Sequence, residues 1–132
     1  MSSLLHLAER RYWDEARSTG VYRRSTRGAS LDDVGFVHAS TGSQMAAVAD
    51  AVYADMAAED LVLLLVDETV LARRSVPVRW ESPDGGQERF PHLYGPIPAS
   101  AVVAALPVTT DSSGNLCLPD LCAWDVRARP PA

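Results

Sequence analysis

The spacing of apolar and polar positions changes period several times along the chain, and each change predicts an element. Residues 3–8 are largely apolar and predict a first strand that sets His6 among leucines and alanine. Residues 9–18 predict a short helix with Tyr12, Trp13 and Ala16 on one face, ended by Gly20. Residues 20–24 predict a short second strand, and residues 25–33 a polar loop, the most natural mobile segment. Residues 34–39 are β-prone. Thr41 followed three residues later by Gln44 fits a capping box. Met45, Val48, Ala49, Val52, Tyr53 and Met56 then recur at helical spacing, which predicts the main amphipathic helix with that face in the core.

Leu61–Asp67 has the continuous apolar pattern of a buried central strand. Glu68–Arg73 predicts a single helical turn. Residues 76–81 predict a strand, residues 82–86 a hairpin turn and residues 88–90 its return. Three prolines predict that residues 91–98 are irregular, since proline donates nothing to a ladder. Residues 99–108 include a last strand, and residues 109–132 form a polar tail with one apolar patch at 116–124. The expectation is α+β: a compact, strongly bent, largely antiparallel split sheet with one main amphipathic helix and one shorter helix. Residues 1–108 are expected to form the domain, with the tail packing on it or extending from it.

Composition narrows the function. At 132 residues there is material for one core, not two. The longest apolar run, residues 61–66, is far too short to span a bilayer, so no membrane role is expected. No secretory signal is seen and the default location is the cytosol. A net charge of −5 argues against a duplex nucleic-acid partner. All 12 basic residues are arginine, so Schiff-base chemistry and a P-loop lysine are excluded. The two cysteines, Cys117 and Cys122, cannot close a zinc site alone, and no metal is expected.

Candidate chemistry gathers around the three histidines. His38 ends a strand just before a helix N-terminus, where a phosphate or carboxylate is favoured and imidazolium is disfavoured. Ser40 and Thr41 place hydroxyls beside it. The same residues also fit a plain helix cap. His92 and Tyr94, two apart, point the same way in an extended segment that also contains Phe90. Trp80 offers a stacking surface, and Glu81 a base or a ribose partner. Arg23, Arg24 and Arg27 offer an anion contact or a solvated cluster.

In this order, His6, then Gly35-Phe36-Val37-His38-Ala39-Ser40-Thr41, then residues 78–81, then Phe90-Pro91-His92-Leu93-Tyr94-Gly95-Pro96, the motifs resemble domain-of-unknown-function family 952 across residues 3–108. That family is grouped by fold with the ADP-ribosyltransferase-like proteins. The resemblance implies a split-sheet core with a cleft that in relatives holds NAD. It makes His6 similar to the histidine that bonds the nicotinamide ribose, and puts Ser40 or Thr41 near the hydroxyl motif of the nicotinamide pocket. The late catalytic glutamate of those transferases has no match after Glu88. The expected function is a small-molecule enzyme using NAD or another nucleotide or phosphorylated compound, with His6, His38 and His92 catalytic. The alternatives are a non-catalytic binding module and a biosynthetic enzyme for an unrelated metabolite.

Overall fold

Alternation along the first strand divides the interior in two. The computed structural model describes residues 2–82 and 84–132, and the predicted turn at residues 82–86 therefore lies partly outside the described residues. Strand β1 (Ser3–Glu9) pairs antiparallel with β6 (Leu61–Asp67), which pairs antiparallel with β10 (Val102–Pro107). Leu4, Ala8, Val62, Leu64 and Val66 face one core; Leu5, Leu7, Leu61, Leu63 and Leu65 face the other. Both faces of β6 are buried, which is why its sequence does not alternate.

Helix α1 (Arg10–Thr19) covers the first core with Trp13 and Ala16. It ends at Gly20, whose φ of 90° is the left-handed conformation that glycine adopts without steric cost. Helix α3 (Met45–Val52) covers the second core with Met45 and Ala49. It is shorter than the periodicity predicts: the helix stops at Val52, and a turn carries Tyr53 and Met56 onto the same core. The predicted capping box is half-formed. The Gln44 side chain accepts from the Thr41 amide at 3.0 Å, but the Thr41 hydroxyl meets Ser43 instead of the helix backbone.

The complete capping box lies elsewhere. The predicted mobile segment folds as a small hairpin, β3 (Arg24–Thr26) with β4 (Ala29–Ser30), followed by the four-residue helix α2 (Leu31–Val34). Ser30 and Asp33 cap α2 reciprocally. The remaining helix, α4 (Glu68–Arg73), is capped by the Asp67 carboxylate.

A second half-sheet has the order β5 (Val37–His38), β8 (Phe90–Leu93), β7 (Val78–Glu81), antiparallel throughout. This corrects the expectation that residues 91–98 are irregular. Phe90–Leu93 is a central strand, and β9 (Ile97–Pro98) pairs with β2 (Val21–Tyr22). Pro91 is accommodated because β5 ends at His38, and the Pro91 carbonyl still accepts from the Ala39 amide at 3.0 Å.

The two half-sheets join at one bridge, Leu5 with Ser40, through two 2.8 Å backbone hydrogen bonds. Beyond it they diverge and the C-terminal segment enters the gap. Asp125 and Arg127 bond the Ser3 backbone, while Arg127 and Ala128 accept from Gly42 and Ser43. Arg127 also holds Glu68 through two hydrogen bonds of 2.9 and 3.0 Å. Glu68 takes a further hydrogen bond from the Ser2 hydroxyl. Strands β11 (Thr109–Thr110) and β12 (Leu116–Cys117) form a small hairpin, and Leu116, Leu118, Leu121 and Val126 pack on the second core. Cys117 and Cys122 are free thiols. The fold is α+β, with four α-helices among the described residues and several antiparallel sheets that do not close. No described helix is long and apolar enough to cross a membrane.

Candidate functional site

On the second half-sheet, alternation sends Val37, Leu93, Val78 and Trp80 toward the first core. It therefore sends Phe36, His38, His92, Tyr94 and Glu81 to the opposite face. His38 and His92 are direct cross-strand partners, and their rings meet edge-on with centroids 5.3 Å apart. Phe36 stacks on His92 at 4.1 Å and meets the His38 ring at 4.8 Å. Tyr94 lies 5.4 Å from Phe36, and the Arg79 guanidinium sits 4.8 Å over the Tyr94 ring.

Glu81 supplies the charge. Its Oε1 accepts from His92 Nδ1 at 2.8 Å and from the Tyr94 hydroxyl at 2.5 Å. The Tyr94 and His92 donors hold the Glu81 carboxyl below its ordinary range, and the carboxylate raises Tyr94 in return. A carboxylate only accepts, so the His92 proton is fixed on Nδ1. His92 Nε2 is buried and has no hydrogen-bond partner among the described residues. A buried ring nitrogen without a partner is uncommon, since burial removes the water that would satisfy it. His38 is half-buried, and burial followed by the neighbouring His92 lowers its pKa, so its ring is uncharged at neutral pH.

His6 stands behind this cluster. Its Nδ1 lies 2.6 Å from the His38 carbonyl oxygen and its Nε2 2.9 Å from the Tyr22 hydroxyl. A carbonyl cannot donate, so Nδ1 carries the proton and Nε2 accepts from Tyr22. Both ring nitrogens are therefore used inside the protein. Burial, opposed by the hydrogen bond to His38, lowers the His6 pKa to about 4.

Next to the histidines is a cavity of about 340 Å³, at the small end of the usual range for ligand sites. His6, His38, Ser40 and Phe90 border it on the sheet side. Met45, Val48, Val52 and Tyr53 face them from α3 and the turn after it, and Thr26 and Arg27 close the rim. Arg27 is held there by Asp55 at 2.5 Å and the Val52 carbonyl at 2.9 Å.

The structure thus puts His6, His38, Ser40, Phe90 and Arg27 on the cavity, and Glu81, His92 and Tyr94 in a cluster against His38 that does not line it. It separates others. Thr41 is fully buried and does not line the cavity. Trp80 lies on the opposite sheet face, under the Arg127 guanidinium, because it alternates with Glu81. Arg24 stacks on Tyr12 at 4.1 Å, and Arg23 reaches Asp32, so the arginines do not converge. Phe36, Tyr22 and Arg79 were not among the sequence candidates. The i, i+2 rule that links His92 to Tyr94 also links His38 to Phe36; the Tyr22 contact joins separate elements and leaves no local signal. Among the described residues, no three His, Cys, Asp or Glu side chains are grouped to hold a metal ion.

A small α+β domain with an imidazole–carboxylate cluster beside an apolar cavity is the class these observations define. The sequence model of a family described as proteins of unknown function, DUF952, matches residues 7–105, and the chain belongs to that family. The match takes in His38, Glu81, His92 and Tyr94 but not His6 or the tail. The crystal structure of protein CC0527 from Caulobacter crescentus is similar, with 30% identity and a TM-score of 0.72 over 88% of this chain and 94% of that one. The solution NMR structure of CC0527 gives 32% identity and a TM-score of 0.68 over 87% and 91%. No functionally curated protein matches the chain.

Proposed function

We propose that this protein is a small-molecule enzyme that moves a proton with His92 and His38 in the cleft beside α3, on NAD or another nucleotide-like ligand. The observation that carries the reading is the buried, unpartnered Nε2 of His92, whose opposite nitrogen is fixed on Glu81. That arrangement orients the His92 imidazole against His38, the ring that borders the cavity and would meet a reacting group. Glu81 also supplies, from the neighbouring strand, the carboxylate that the segment after Glu88 lacks. The split sheet and the placement of His6 and Ser40 at the cavity support the ADP-ribosyltransferase-like likeness and hence the choice of NAD. The reaction would be cleavage at the anomeric carbon, in which nicotinamide leaves and water or a small acceptor takes the ADP-ribosyl group.

The test is nicotinamide release from NAD, followed by chromatography, alongside thermal unfolding. Ligand at about 100 times its Kd adds about 2.7 kcal/mol, a rise of roughly 8–15 °C for a domain of this size. Release that is lost in His92→Ala and His38→Ala, with folding intact, is the expected result. Neither release nor stabilisation by millimolar NAD or ADP-ribose refutes the nucleotide reading. A second reading, binding without turnover, is favoured by the apolar lining of the cavity; stabilisation without product would select it.

A further inference from the structure

The chemistry of the cavity wall says more about its occupant than the histidines do. Leu5, Leu7, Met45, Val48, Val52 and Phe90 form most of it. Among the polar lining groups, both His6 ring nitrogens and the Tyr53 hydroxyl are already used inside the protein, whereas the His38 ring nitrogens take no hydrogen bond among the described residues. The one charged side chain on the rim, Arg27, is already held by Asp55 and the Val52 carbonyl. Behind His38 lies the unpartnered Nε2 of His92, in a side chain only 2% exposed. The site is therefore an apolar chamber with the unpaired His38 ring on its wall and His92 behind that ring.

We infer that the cavity takes the apolar arm of an amphiphilic small molecule, a short alkyl chain or an unsubstituted ring, and presents its uncharged hydrogen-bonding head to His38 and Ser40. The inference rests on the proposed site only for where the head lies. The arm is recognised by the α3 side of the cavity, chiefly Val48 and Val52, and this sets specificity independently of what the imidazoles do.

The probes are hexanamide and acetamide, which share a head and differ by four methylenes. Titration is followed by the methyl NMR signals of Val48 and Val52. Hexanamide is expected to bind about a hundredfold more tightly than acetamide, from the transfer free energy of the added methylenes. Val48→Trp, which fills the cavity from a half-buried helical position, should abolish binding, while Ala46→Trp on the exposed side of α3 should not. Equal affinity for the two amides, no binding of hexanamide at millimolar concentration, or hexanamide affinity unchanged in folded Val48→Trp overturns the inference. The wild-type comparison stands even if Val48→Trp does not fold. Hexanamide binding without nicotinamide release supports this inference and fails only the nucleotide reading. Histidine-dependent release without hexanamide binding does the reverse.

Discussion

Lowering the pH from 7 to 5 should destabilise the protein through His6. The folded pKa of His6 is about 4 and the ordinary value is 6.5, so across this range the unfolded chain takes up a proton that the folded chain refuses. The unfolded state binding more protons means that stability falls as pH falls, beginning near 6.5 and levelling off below about 4. Integrated from pH 7 to 5, the loss is about 2 kcal/mol, or roughly 6–12 °C in Tm. The physical cause is specific. A second proton on His6 must go to Nε2, where it displaces the hydrogen bond from Tyr22 and puts a charge in a position only 2% exposed. His38 contributes in the same direction, so the contribution of His6 is isolated by comparison with His6→Gln. The carboxylates of Asp33, Asp55 and Glu81 are held low by their partners and titrate beneath the window. The assay is urea denaturation at half-unit steps of pH, with the His6 ring followed by NMR. Parallel loss in wild type and His6→Gln, or a His6 titration midpoint near 6.5, refutes the reasoning.

Two other substitutions probe the frame around the site. Leu64→Ala removes a fully buried side chain from the middle of β6, between His6 and Ala105, and should cost about 2–5 kcal/mol in denaturant unfolding; a loss under about 1 kcal/mol would contradict the packing described. Arg127→Ala removes two hydrogen bonds to half-buried Glu68 and the cation over Trp80, and should cost about 1–2 kcal/mol, read as a lower urea midpoint; an unchanged midpoint would show that the tail does not hold the two half-sheets.

What the sequence makes legible follows the range over which each signal acts. The β6 strand, the α1 helix and its Gly20 stop are local patterns, and they appear where the periodicity places them. So is the His92–Tyr94 alternation. The sequence predicts a capping box at Thr41 and Gln44, where an apolar face follows, yet the complete box is at Ser30 and Asp33. Asp at the fourth position serves as well as Glu or Gln, and the motif alone does not rank the two. Pro91 shows the opposite failure. Proline's missing donor weighs against a central strand, but the end of β5 at His38 removes the need for that donor. The Glu81–His92 contact joins two strands across a long loop, and only the pairing of Glu81 with Phe90 brings it about. Trp80 and Glu81 read as one motif in sequence, while a strand must put them on opposite faces.

The position of the site follows from the split of the sheet. Leu5 and Ser40 bridge the half-sheets, and His38 lies two residues from that bridge, on the same face as Ser40. On that face the first half-sheet is covered by α3, whereas the second carries its aromatic and imidazole rings packed on one another. The cavity opens at the boundary between the two, where α3 ends its cover and the ring cluster begins. His6 acts across the same boundary from behind: by donating to the His38 carbonyl, it ties the strand carrying one imidazole to β1, the edge strand of the first half-sheet. The tail closes the diverging side through Ser3, Gly42 and Ser43. The imidazole pair is thus held by backbone contacts on a sheet that is otherwise open between its halves.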